Sequence, residues 1–261
     1  MRWRLPFTGM LIFQGLVYLY LLAPILIVIP VSFSEAAYLV FPPRGFSLRW
    51  YANFFSLREL TDALALSARL AVTVTVASTT IGTMASFALV RYRFAGKDVL
   101  RTLFMSPMVL PGVVLGIGFL IFFSRTRLIY TFWSLFFAHL VVTLPYVIRT
   151  VSATLQGFPR VLEEAAASLG ASPIAVFRSV TLPLVKPGVM AGAIFAFIVS
   201  FDELVISIFL TGPRLSTLPV QIYNYIEFTS DPTIAAISVI LILLTTGAVA
   251  LLERFVGFGR F

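Results

Sequence analysis

The chain has no cysteine, one histidine and little charge. Without a thiol it forms no disulfide and offers no thiolate for catalysis or metal binding. No Gly-x-x-x-x-Gly-Lys-Ser/Thr phosphate loop occurs, because the one Gly-Lys pair, Gly96-Lys97, is followed by Asp98. No His-Glu-x-x-His or other ligand cluster occurs either. The chain by itself therefore supplies neither ATP hydrolysis nor metal chemistry. Charged residues are 11% of the sequence, against about 25% in soluble domains. An ordinary soluble domain is excluded.

What fills the chain instead is apolar: 59% of it is hydrophobic, with a mean hydropathy of +1.00. Six segments are long enough to cross a hydrocarbon core of about 30 Å. They are Met10–Phe33, Ala65–Val90, Leu103–Phe123, Thr131–Ile148, Gly188–Leu210 and Ile234–Leu252. Backbone polar groups in lipid must be satisfied within the segment, and these runs are too apolar all round for barrel strands. The expected fold class is thus an all-α membrane protein with six transmembrane helices. The first segment follows Arg2 and Arg4 as a signal peptide would, but it exceeds a usual signal core. It also ends in Pro30-Val31-Ser32-Phe33 without a small-x-small cleavage site, and is expected to be a retained helix.

Charge sets the expected orientation. With the N-terminus inside, most of the 19 basic residues fall on the cytoplasmic side, among them Arg2, Arg4, Arg91, Arg93, Lys97, Arg101, Arg149, Arg160, Arg178, Lys186, Arg254 and Arg260. Arg125 and Arg127 run against the bias. The net charge of +8 is spread over short loops and forms no stripe, so it reflects membrane topology and not nucleic-acid binding. Both termini and the loop 156–186 are expected in the cytoplasm, and 34–62 and 211–231 outside.

The longest late polar interruption has its own pattern. Leu162 to Leu169 is a run of good helix formers, with Glu163 and Glu164 at its start, and Gly170 is a natural helix C-terminus. Ser172-Pro173 reads as N-cap and first residue of a second short helix to about Thr181, ended by Leu182-Pro183 and Lys186-Pro187. Two short helices joined at a glycine make a knob that a partner's groove could hold. The stretch Glu164-Ala165-Ala166, then Gly170, then Val180-x-Leu182-Pro183, resembles the EAA loop of binding-protein-dependent ABC importer permeases. In that family the loop docks on the ATPase subunit. The resemblance implies coupling roles for Glu163, Glu164, Ala165, Ala166, Gly170, Leu182 and Pro183.

The fifth segment carries Val199-Ser200-Phe201-Asp202-Glu203-Leu204. A carboxylate at the centre of a spanning helix costs about 2.5–3.5 kcal/mol, so it normally faces a cavity or a partner. Asp202 and Glu203, with Ser200, are candidates for a pathway that favours cations; the structural alternative is an ion pair with an arginine such as Arg69. His139 is expected as a hydrogen-bonded interior residue. Pro107, Pro111, Gly112, Gly116 and Gly118 give the third segment either kinks for a pathway or simple close packing. Trp50 and Tyr51, after the first helix, suit an interfacial belt.

From about Ala65 to Leu252 the chain resembles the type I ABC importer permease domain. Ser200-Phe201-Asp202-Glu203, Phe209-Leu210-Thr211-Gly212-Pro213, Thr217-Leu218-Pro219, Ile222-Tyr223 and Phe46-Ser47-Leu48-Arg49-Trp50-Tyr51 are similar to the second permease of spermidine/putrescine importers. The resemblance implies a first helix and external loop at 1–63, a permease domain at 64–253 and a short cytoplasmic tail at 254–261. It implies a bacterial inner-membrane location, a second, paralogous permease, two copies of an ATPase subunit and an external binding protein. No cofactor is expected on this chain, ATP and magnesium being on the ATPase. Relatives that move amino acids, opines or aminophosphonates share much of the pattern. An ion-gradient-driven secondary transporter would need repeats, and the last three segments do not repeat the first three.

Orientation is directly testable, since the background has no cysteine. A single cysteine at Ser56 should react with an impermeant maleimide added to intact cells, and one at Ser172 only after permeabilisation. Labelling of position 172 from outside would reverse the topology.

Overall fold

The computed structural model describes residues 7–256; Arg2, Arg4, Arg260 and the assignment of both extreme termini to the cytoplasm lie outside them. Within this range the chain forms α1 (Phe7–Ser32), α2 (Arg49–Ser56), α3 (Arg58–Arg91), α4 (Lys97–Met105), α5 (Gly112–Arg125), α6 (Phe132–Gly157), α7 (Val161–Ser168), α8 (Pro173–Val176), α9 (Leu182–Phe201), α10 (Val205–Leu210), α11 (Leu218–Phe228) and α12 (Thr233–Val256). Among the described residues the only bridge pairing is Gly212 with Leu215. Five stretches are long and apolar enough to span a membrane, namely Gly9–Ser32, Arg58–Arg91, Phe132–Gly157, Pro173–Phe201 and Thr233–Leu251.

The third expected span is not one straight helix. Lys97–Met108 and Gly112–Arg125 meet at an angle of 106°, and count as a sixth span only if the bent pair is taken together. Pro111 causes the break, because its ring excludes Leu110 from helical geometry and it has no N–H to give. A 3-10 turn at Ser106–Met108 leads into the break and Pro111 caps α5.

The chain divides into two compact units: residues up to Thr61 with Ile222–Thr245, and Asp62–Gln221 with residues from Thr246 on. They interleave in sequence. In the first unit α1 is exposed from Met10 to Leu22 and partly covered beyond, with Val31 and Ser32 buried at its end. The loop after it is organised around Ser34, whose hydroxyl accepts from the Ala36 and Arg44 amides and whose carbonyl accepts from the Trp50 indole at 2.8 Å. Trp50 is thereby buried, and the belt role expected for it gives way to that of a packing anchor. Tyr51 reaches back to Ser32 at 2.7 Å and packs against Phe33. Asn53 on α2 donates to Thr233 at the start of α12, where Asp231 accepts from the Thr233 amide and from Tyr225.

In the second unit α6 and α9 form the central pair. Thr131 and Ser134 make a capping box that starts α6, which runs nine residues beyond the expected Ile148 to Gly157. Its face buries Val147, Val151 and Leu155 against Val185 and Ala196 of α9. A second cluster joins Leu70, Val74, Phe123, Leu135, Ala138, Ile206 and Leu210. Close approach of α6 and α9 depends on Gly188 and Gly192. A Cβ on Gly192 would stand 2.7 Å from Thr150 Oγ1 and 3.0 Å from the Val147 Cα.

Backbone carbon cannot swing aside as a side chain does. Gly192→Ala should therefore lower the thermal-unfolding midpoint of the detergent-solubilised protein, by an overpacking cost of about 1–3 kcal/mol. Gly118→Ala, on α5 with nothing within 4 Å, should be neutral or stabilising. Equal melting of the two variants would contradict the tight α6–α9 seam.

Candidate functional site

The knob expected between the fourth and fifth spans is present. Glu163 and Glu164 lie in the first turn of α7, where the helix N-terminus favours negative charge. Gly170 ends the helix at φ +87°, with its amide on Ala167 O at 3.0 Å and the Ala171 amide on Ala166 O at 3.2 Å. That pair of bonds is a Schellman closure, and the left-handed residue it requires is cheap only for glycine. Ser172 then caps α8 by accepting from the Ala175 amide at 3.3 Å, with Pro173 in the first turn. Leu169 and Ile174 stand exposed at the tip, at 89% and 72%.

Leu182 and Pro183 do not end the second helix as expected. A π turn at Phe177–Thr181 follows α8, and the Leu182 amide reaches Phe177 O across it. The helix then continues as α9 to Phe201. A π turn already interrupts the regular ladder, so a proline in the turn that follows removes a donor where its loss is tolerated. Leu182 and Pro183 both lie exposed in the first turn of α9, and Pro187 within it.

The two glutamates have different surroundings. Glu163 turns inward, where Arg91 at the end of α3 donates Nε to Oε1 at 3.2 Å and lies 3.1 Å from Oε2. Thr181 donates to Oε1 at 2.9 Å, and Arg91 Nη2 also reaches the Phe158 carbonyl at 3.3 Å. Side chains of this pair are only 12% and 13% exposed. Glu164 points outward and pairs with Arg160 one turn earlier at 3.3 Å, both about 60% exposed. Ala165 is exposed beside it and Ala166 half-buried.

The second constellation lies at a helix break. The fifth segment was expected to be continuous through Leu210, but α9 stops at Phe201 and α10 begins at Val205. Asp202 is exposed, and its carboxylate has no hydrogen-bond or ion-pair partner among the described residues. Glu203, one residue before the Leu204 N-cap, is half-buried and accepts from the Ile206 amide at 3.0 Å, satisfying a donor in the first turn of α10. Arg69 does not pair with either; its guanidinium lies 4.8 Å over the Phe132 ring. Ser200 is buried, with its hydroxyl 3.0 Å from His139 Nδ1.

Residues 78–257 match the family described as binding-protein-dependent transport system inner membrane component. The chain belongs to that family. It is 36% identical over 233 residues to the spermidine/putrescine transport system permease protein PotC of Escherichia coli K12, covering 89% of this chain and 88% of that one. It is 32% identical over 249 residues to the putrescine transport system permease protein PotI of the same strain, covering 92% and 86%. The crystal structure of a bacterial ABC transporter involved in alginate import contains a chain of the same fold, with a TM-score of 0.71, 16% identity and 93% of each chain covered. As a member of this family the chain is a multi-pass membrane permease component, not a catalytic enzyme.

Two members of the knob's support were missed in the sequence. Arg91 reads there as one more basic residue at a helix end, and Thr181 as the end of a short helix. Their sequence separations from Glu163 are 72 and 18, so no local pattern couples them.

The difference between the two glutamates is measurable. Glu163→Ala leaves Arg91 nearly buried and unpaired, a loss of about 3–5 kcal/mol for a broken buried pair. It should loosen the knob and increase tryptic cleavage at Arg160 and Arg178 in the solubilised protein. Glu164→Ala removes only an exposed pair worth about 0–1 kcal/mol and should leave cleavage unchanged. Identical digestion patterns for the two variants would remove the assigned anchor.

Proposed function

We propose that this chain is the permease subunit of an ATP-driven importer in the bacterial inner membrane, and that it lines, with a second permease, a path for a polyamine such as spermidine or putrescine. The observation that carries the substrate class is the unpaired Asp202 beside Glu203, where the span Pro173–Phe201 ends and the chain breaks before α10. Irregular backbone at membrane depth is tolerated only where it is buried in protein or faces a water-filled cavity. A carboxylate at the end of a span normally faces water, a cavity or a partner. A cation in a narrow, partly dry path gains several times the Coulomb energy it would have in water. The site needs to be shallow, since a path that binds too tightly does not release. The polyamine names of the two relatives support the same reading.

The partners follow from the two ends of the chain's central helix. The knob from Val161 to Val176 presents Leu169 and Ile174, with Glu164 and Ala165, to a groove on a cytoplasmic ATPase, two copies of which hold the ATP and magnesium. Gly170 gives the knob its sharp turn, while Glu163, Ala166, Leu182 and Pro183 shape it from behind. On the opposite side an external binding protein delivers the solute. Both termini are cytoplasmic in this arrangement.

Asp202→Asn preserves size and hydrogen bonding and removes the charge. In the assembled complex it should lower uptake of a diamine or longer polyamine at least severalfold, while the loaded binding protein still stimulates ATP hydrolysis. Normal uptake by this variant would overturn the cationic-substrate reading and leave the family assignment untouched.

A further inference from the structure

His139 is fully enclosed in the second unit, and both of its ring nitrogens are bonded to the two sides of the break that displays Asp202. Nδ1 lies 3.0 Å from Ser200 Oγ in the last turn of α9, and Nε2 lies 3.1 Å from Ser207 Oγ in the first turn of α10. Ser207 donates its one hydroxyl hydrogen to the Glu203 carbonyl at 2.6 Å, so it accepts from Nε2–H. In the neutral imidazole Nδ1 is then the acceptor for the Ser200 hydroxyl. One planar ring thus spans the interruption from behind, tied through Ser207 to the backbone of Glu203.

A break in a helix is otherwise a hinge. The Glu203 carboxylate bonds only the downstream helix, and the Asp202 amide bonds only upstream, to Ile198 O at 3.0 Å. Among the described hydrogen bonds, those of His139 and Ser207 supply side-chain ties on both flanks. We propose that His139 is a positioning residue for transport: it fixes the angle between α9 and α10, and through that angle the place of the Asp202 carboxylate in the path of the cationic solute. This rests on the proposed place of Asp202 in the pathway. His139 touches no solute, and a role in core packing alone would not link it to the carboxylate's function.

The experiment uses the complete complex in proteoliposomes and measures spermidine and putrescine taken up per ATP hydrolysed. His139→Leu fills the volume without either bond and should lower uptake per ATP by about fivefold. His139→Gln retains one donor and one acceptor and should recover at least half of the loss. Combined with Asp202→Asn, His139→Leu should add nothing, since two residues acting through one function are non-additive. Multiplying losses, or a defect in melting temperature with uptake per ATP unchanged, would overturn the proposal. Should His139→Leu fail to fold, Ser207→Ala removes one end of the strap alone and should show the same non-additivity; additivity there overturns it equally. If Asp202→Asn is itself silent, the pathway reading falls and this inference with it. If Asp202→Asn is impaired and His139→Leu is not, only the positioning role falls.

Discussion

In hydrocarbon, a backbone donor or acceptor that leaves a helix must find a partner inside the protein, and the second unit is arranged around that constraint. Among the described residues, its helices are interrupted or end at three such places. At residues 109–111 proline removes the donor outright, and the Val109 and Leu110 amides fall back on the Ser106 carbonyl. At Phe177–Thr181 a π turn absorbs the mismatch without ending the helix. At Asp202–Leu204 side chains supply the partners: Glu203 takes the Ile206 amide and Ser207 gives its hydroxyl to the Glu203 carbonyl. Each is satisfied locally by hydrogen bonds within a few residues.

The same helix then links the two regions of functional interest. Pro173–Phe201 is one stretch of 29 residues, about 43 Å at the usual rise, with the knob at one end and Asp202 at the other. Its seam with α6 is held by the close contact that Gly188 and Gly192 permit, and α6 also carries His139. The packed α6–α9 pair thus runs from beside the knob to the residues next to Asp202.

The anchoring of the knob has a related economy. Glu163, enclosed with Arg91 and Thr181, holds the loop to the end of α3, while Glu164, one residue later, is left for solvent and partners. Adjacent helical residues point about 100° apart, so a pair of glutamates serves two directions at once. An exposed ion pair contributes little to stability, which leaves Glu164 free to exchange Arg160 for another partner.

What the amino-acid sequence determined by itself was whatever rests on short-range chemistry. The apolar run lengths marked the spans, Gly170 the left-handed turn, and Ser172-Pro173 the start of α8. Those signals act within a few residues and are insensitive to what packs around them. The tertiary structure decided the rest, because the deciding contacts lie far apart in the chain. Leu182-Pro183 reads as a stop, yet a π turn carries the helix through it. Asp202 and Glu203 read as carboxylates in the middle or outer third of a continuous helix, yet the helix breaks at them, with His139 bonded across the gap from 61 and 68 residues away. Trp50 reads as an interfacial aromatic, yet its indole is buried on the Ser34 carbonyl. At Trp50 the hydrogen bond gained on burial overrides the local preference of the chain, while His139 is the hydrogen-bonded interior residue expected, its partners alone being set by the fold.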